Sequence, residues 1–168
     1  MATLPSWIQK ENDQKARAAQ KAEAATQQRL EAGNFVQQHS LDYWDQLAAA
    51  LQSNAQALEK LEGEELHGSL SKSVTGHEHN LHIRVERRSV THGPDFTWLN
   101  LWYIPGSGFM RCYFMDQMQP NIEFTVAGSP VTGREVLAIF DGKRLKADEL
   151  AEAVVRQMAG QVRAKRRR

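Results

Sequence analysis

Phe96-Thr97-Trp98-Leu99-Asn100-Leu101-Trp102-Tyr103-Ile104, then Pro105-Gly106-Ser107-Gly108, then Phe109-Met110-Arg111-Cys112-Tyr113-Phe114-Met115 is the stretch that decides the fold. Two runs rich in large side chains flank a short Pro/Gly loop, which is the pattern of a β-hairpin. With Pro105 to Gly108 as the loop, Ile104 opposes Phe109 and the rest of the register follows. Tyr103 meets Met110, Trp102 meets Arg111, Leu101 meets Cys112, Asn100 meets Tyr113, Leu99 meets Phe114 and Trp98 meets Met115. Strand side chains alternate between faces. One face therefore gathers Leu99, Leu101, Met110, Cys112 and Phe114, and this is the expected core. The other gathers Phe96, Trp98, Asn100, Trp102, Arg111, Tyr113 and Met115. A slip of one residue would exchange the two faces, so the assignment rests on the loop length.

A sheet needs only one apolar face for its core, so the mixed face requires a cover or a ligand. Three readings stay open: a helix lies across it, it is a protein interface (often of a homodimer), or it is a platform for a small ligand or nucleic acid. Arg111 opposite Trp102 suits a cation–π contact, and aromatic residues beside arginine dominate binding hot spots. The candidate ligand- or partner-binding residues are Trp98, Trp102, Arg111 and Tyr113, with Arg84 added from a neighbouring strand. His82, Glu123 and Thr125 are further neighbours of the same face.

Outward from the hairpin, residues 66–140 keep a period of two. Leu81, Ile83 and Val85 alternate with His82, Arg84 and Glu86, and Ile122, Phe124 and Val126 alternate with Glu123 and Thr125. Turn residues separate the runs at His92-Gly93-Pro94-Asp95, Gly128-Ser129-Pro130 and Asp141-Gly142. Five antiparallel strands are expected, with a sixth over Leu66 to Val74. Before them, Val36, Trp44, Leu47, Leu51, Ala55 and Leu58 recur at three- and four-residue steps, which predicts a packing helix over 35–61. After them, Ala147-Asp148-Glu149 opens a last helix whose acids suit its positive end, with Leu150, Val154 and Met158 on one side. Residues 9–29 are mostly Ala, Gln, Lys and Glu, strong helix formers. Their stripe of Ala18, Ala22 and Ala25 buries too little area to drive docking. Gly33-Asn34 is expected to end this first helix and cap the second.

The expected architecture is α+β: N-terminal helices, a five- to six-stranded antiparallel meander and a C-terminal helix packed on the sheet. The expected divisions are an exposed Ala/Gln-rich helix over 1–33, the α+β domain over 34–160 and a basic tail over 161–168.

Bulk properties bound the function classes. The chain has 168 residues, 41% hydrophobic and 24% charged, ordinary globular values. It has no run of about 18 apolar residues for a membrane span and no signal-peptide core. Its one cysteine, Cys112, permits no intrachain disulfide, so a soluble cytoplasmic protein is expected. Net charge is +1, unevenly spread: residues 1–62 carry 6 basic and 8 acidic groups, 63–142 carry 6 and 9, and 143–168 carry 9 and 3. Arg163, Lys165 and Arg166 to Arg168 make a cationic tail suited to weak, salt-sensitive contact with nucleic acid or another anion, or to capping a helix C-terminus. An acidic body argues against a dedicated DNA-binding domain.

Signals for chemistry are sparse. His77, His79 and His82 are the cluster that suggests a metal, but His82 falls on the strand face opposite His79, so no metal is assigned. Cys112 sits on the core face as a small hydrophobe. Gly106-Ser107-Gly108 lacks the helix that follows a nucleophile elbow or a phosphate loop. No cofactor or catalytic residue is assigned. The leading expectation is a non-enzymatic interaction or assembly module, a homo-oligomer or one binding a protein partner, acting through helix 35–61 and the Trp98/Trp102/Arg111 face. The alternatives are a small-molecule domain with a cavity between sheet and helix, and a metal-dependent enzyme using His79 and His82.

Overall fold

The computed structural model describes residues 5–63, 65–88 and 93–165, and the chain divides into two units, Met1–Asn34 and Phe35–Arg168. The turn expected at His92 to Asp95 and the arginines 166–168 fall partly or wholly outside the described residues.

Among its described residues the first unit is helical from Ser6 onward. It is the N-terminal part of α1 (Ser6–Ala57), and almost all of its side chains are exposed, Trp7 at 65% and Leu30 at 59% among them. Helix α1 runs through Gly33 and Asn34 without a break, contrary to the helix end expected there. Gly33 does not take the left-handed backbone of a helix stop. One glycine costs about 1 kcal/mol relative to alanine, too little to halt a run of good helix formers on both sides.

The second unit is α+β. Its strands are β1 (Leu66–Thr75), β2 (Glu78–Arg87), β3 (Asp95–Tyr103), β4 (Phe109–Phe114), β5 (Gln117–Met118), β6 (Ile122–Ser129), β7 (Gly133–Phe140) and β8 (Lys143–Leu145). They form one antiparallel sheet in the order β1-β2-β3-β4-β6-β7-β8, with β5 paired to β4. The sheet exceeds the expected five or six strands through the short β5 and β8. Asp141 and Gly142 both have positive φ (49° and 73°), the two-residue hairpin geometry that Asp-Gly favours, and this turn returns β8 onto β7. Between β5 and β6, Pro120 has no N–H to donate, and the ladder on β4 breaks there.

Both helices of this unit pack on one face of the sheet. Val36, Tyr43, Trp44, Leu47, Leu51 and Ala55 of α1 are buried, as are Leu150, Val154, Val155, Met158 and Val162 of α2 (Ala147–Lys165). Beneath them lie Leu81, Ile83 and Val85 of β2, Leu99, Leu101 and Tyr103 of β3, and Met110 and Cys112 of β4. Polar contacts fix the fit. Ser40 Oγ and Tyr103 Oη share a buried hydrogen bond of 2.6 Å, and the Trp44 and Tyr103 rings stack at 5.2 Å. At Gly68 a Cβ would stand 2.6 Å from the carbonyl oxygen of Ala55, so only glycine lets the helix backbone approach β1 this closely. Lys146 caps α2 by donating its N–H to Glu149 Oε2 at 2.8 Å, one half of a capping box.

Candidate functional site

The hairpin β3–β4 pairs as its loop length dictates: Leu99 with Phe114, Asn100 with Tyr113, Leu101 with Cys112, Trp102 with Arg111 and Tyr103 with Met110. Pro105 and Gly106 turn the chain, with Gly106 at φ 86° and Ser107 N–H donating to the Ile104 carbonyl at 2.9 Å. Tyr103 Oη accepts from Gly106 N–H at 3.3 Å, tying the loop to the same hydroxyl that holds Ser40.

The face turned away from the helices is the mixed one. On β2 and β3 the residues pointing there (Asn80, His82, Arg84, Glu86, Trp98, Asn100 and Trp102) are half-buried, while their alternating neighbours are buried. Helix 35–61 does not cover the tryptophans, because its apolar stripe is spent on the opposite face. Trp44 is therefore core, 1% exposed, and offers nothing to a partner.

A cavity of about 410 Å³ lies on the uncovered face, lined by Glu78, Trp98, Asn100, Trp102, Arg111, Tyr113 and Asp116. Four of the five sequence-derived candidates, Trp98, Trp102, Arg111 and Tyr113, thus come together. Arg84 does not line it. Its guanidinium lies 4.6 Å over the Phe96 ring and 2.9 Å from Glu86 Oε2. Arg111 departs from the expected stacking on Trp102: it reaches across β3 to donate to Glu78 Oε1 at 2.8 Å. A carboxylate gives a guanidinium a stronger, charge-assisted bond than a ring face does. His82 Nδ1 donates to Asn100 Oδ1 at 2.7 Å, which fixes the amide on the cavity floor.

Two lining residues, Glu78 and Asp116, had no sequence signal placing them here. Asp116 owes its position to the turn between β4 and β5, where Met115 and Asp116 both have positive φ (47° and 63°). That turn lacks the Asn-Gly or Asp-Gly signature by which such a geometry is usually recognised.

The histidines do not assemble. His79 faces the helices, its ring 6.4 Å from Trp44 and 6.1 Å from Tyr103. His82 faces the other way, its ring 5.7 Å from Trp98. The two cannot bind one ion, and the metal-dependent alternative loses its ligand pair. Among the described residues no group of three or more His, Cys, Asp or Glu side chains could hold a metal. Cys112 is buried on the core face, and burial pushes its thiol up to about 11, away from the thiolate that nucleophilic chemistry needs.

A second cavity, about 370 Å³, opens where the ladder breaks at Pro120. Leu99, Cys112, Phe114, Ile122 and Phe140 line it, with Gln157 and Gln161 of α2 at its edge. Among the described residues no helix is long and apolar enough to cross a membrane. No family model, curated protein or solved structure matches the chain.

Proposed function

We propose that the protein is a non-enzymatic interaction module that self-associates through the uncovered face of its sheet. The observation that carries this reading is the pair Trp98 and Trp102, half-buried on a face that neither helix of the unit covers. A solvated sheet face is ordinarily polar, and two tryptophans with a tyrosine there are the residue types of an interface centre. Charge pairing supports contact between like surfaces, since Arg84 and Arg111 are each neutralised within the face by Glu86 and Glu78. A cytoplasmic location and weak anion contact through the basic tail complete the proposal.

The test is the mass in solution. Light scattering across a concentration series should give a mass rising above 19.0 kDa, and Trp102→Ala should return it to the monomer value. A strictly monomeric protein at high concentration would sink self-association.

One observation favours a second reading, a small-molecule domain. The cavity at Pro120 is bounded by both sheet and α2, with apolar side chains mixed with glutamines, Asn121 and Asp141, and its size falls in the range of ligand sites. Thermal stabilisation by a member of a metabolite panel, lost when Phe114 is enlarged to Trp, would support it.

A further inference from the structure

The cavity on the uncovered face has walls of one kind and a surplus of one charge. Trp98 and Trp102 stand four residues apart on β3, which roots the two indoles about 13 Å from each other. Asn100 lies between them, with Tyr113 directly across the ladder. Among the described residues these three rings make no contact with one another, and Trp98 meets the His82 ring instead. All three line the cavity, which opens to solvent.

Aromatic faces carry negative potential, and the lining adds the carboxylates of Glu78 and Asp116. Its one cation, Arg111, is already bonded to Glu78. Asp116 has no ion-pair partner among the described residues, and its turn holds it at the cavity rim. An anion entering here would meet two carboxylates and three π faces. A neutral polar ligand would find one lone pair of the Asn100 oxygen already taken by His82. A weakly hydrated organic cation meets three aromatic side chains and a carboxylate with no ion-pair partner among the described residues, the residue types by which quaternary ammonium groups are recognised.

We propose that this cavity is a site for an alkylammonium group. The proposal rests on the reading of this face as a binding surface, and not on self-association. The group could come from a free small cation or from a methylated lysine side chain of a bound protein, and the two sources share the same contacts.

The experiment follows the tryptophan indole N–H signals by NMR at a concentration where the protein is monomeric. The chain has four tryptophans; Trp44 reports the core, and Trp7 lies in the other unit. Titration with tetramethylammonium chloride should shift the Trp98 and Trp102 signals saturably and leave Trp44 unmoved. Sodium chloride at equal ionic strength and the neutral isostere tert-butanol should not reproduce the shift. Trp102→Ala should weaken binding about tenfold or more, and Asp116→Asn several-fold, with the Trp44 signal confirming that each variant is folded. A parallel titration with Nα-acetyl-Nε-trimethyl-lysine amide distinguishes the sources. Tighter binding than tetramethylammonium points to a side chain, and equal or weaker binding points to a free cation. A non-saturable shift, an equal shift from tert-butanol, or unchanged affinity in Asp116→Asn overturns the assignment. If the cation fails while association still depends on Trp102, the interaction reading stands alone; if it binds a strict monomer, the site stands and self-association falls.

Discussion

Replacing Trp44 and Trp102 by alanine, each in turn, tests the assignment of faces on which every functional statement depends. Trp44 is 1% exposed and stacked on Tyr103, so truncation removes a large side chain from a close-packed layer. Such changes cost about 3–5 kcal/mol, a large part of the 5–15 kcal/mol that typical domains possess. Trp102 is half-buried on the uncovered face. Losing part of the burial worth of a large apolar side chain costs about 1 kcal/mol. With a urea slope of about 2 kcal/mol per molar, Trp44→Ala should lower the unfolding midpoint by about 2 M and Trp102→Ala by about 0.5 M. Circular dichroism at low protein concentration measures both, so that association does not add to the stability of the parent. A midpoint drop for Trp102→Ala as large as that for Trp44→Ala would mean that the face is covered in the monomer, and the candidate site would be core. A small drop for Trp44→Ala would refute the packing of α1 on the sheet.

Two further outcomes follow from the same geometry. Gly33→Ala should raise helix content by circular dichroism and stabilise α1 by about 1 kcal/mol, because Gly33 lies inside a continuous helix; a loss of helicity would mean that it adopts a left-handed cap. For Cys112, burial pushes the thiol pKa from its ordinary 9.0 up to about 11 in the folded protein. Its neutral form is therefore favoured in the native state, so its contribution to stability is complete below about 9 and is lost as pH rises through about 11. The urea midpoint should fall more steeply across that window for the parent than for Cys112→Ala, and parallel curves for the two would contradict a buried thiol.

The hairpin register was legible because loop length and alternation act locally, and five cross-strand pairs follow from them. The core face was legible from its apolar side chains, but whether helix 35–61 also covers the mixed face was not, since alternation separates two faces without saying which one a distant helix will meet. That choice is made by contacts such as Ser40 with Tyr103 and Ala55 with Gly68, far apart in the chain. Gly33 misleads for a different reason: a single unfavourable residue is outweighed by cooperative propagation on either side. Arg111 was matched by register to Trp102, yet a long side chain can pass its ladder neighbour, and Glu78 two strands away is the stronger partner. Pro120 did carry a readable signal. A residue without an N–H between Gln119 and Asn121, just before the apolar alternation of Ile122, Phe124 and Val126, announces a broken ladder, and the second cavity opens there.

Strand β3 joins core and site in one rigid element. Its inward residues Leu99, Leu101 and Tyr103 are locked by the packed helices, and Tyr103 is further held by Ser40 and by the Gly106 N–H. Its outward residues Trp98 and Trp102 are the cavity walls. The backbone that carries the walls is therefore held in place by the core. Affinity in such a site depends on how completely its groups are arranged before binding. The lining arrives arranged in three places: Asn100 is bonded to His82, Arg111 is bonded to Glu78, and Asp116 is set by its turn. That arrangement of charged and amide groups around two tryptophans is the physical reason for placing the proposed binding function on this face rather than on the exposed Ala/Gln-rich helix.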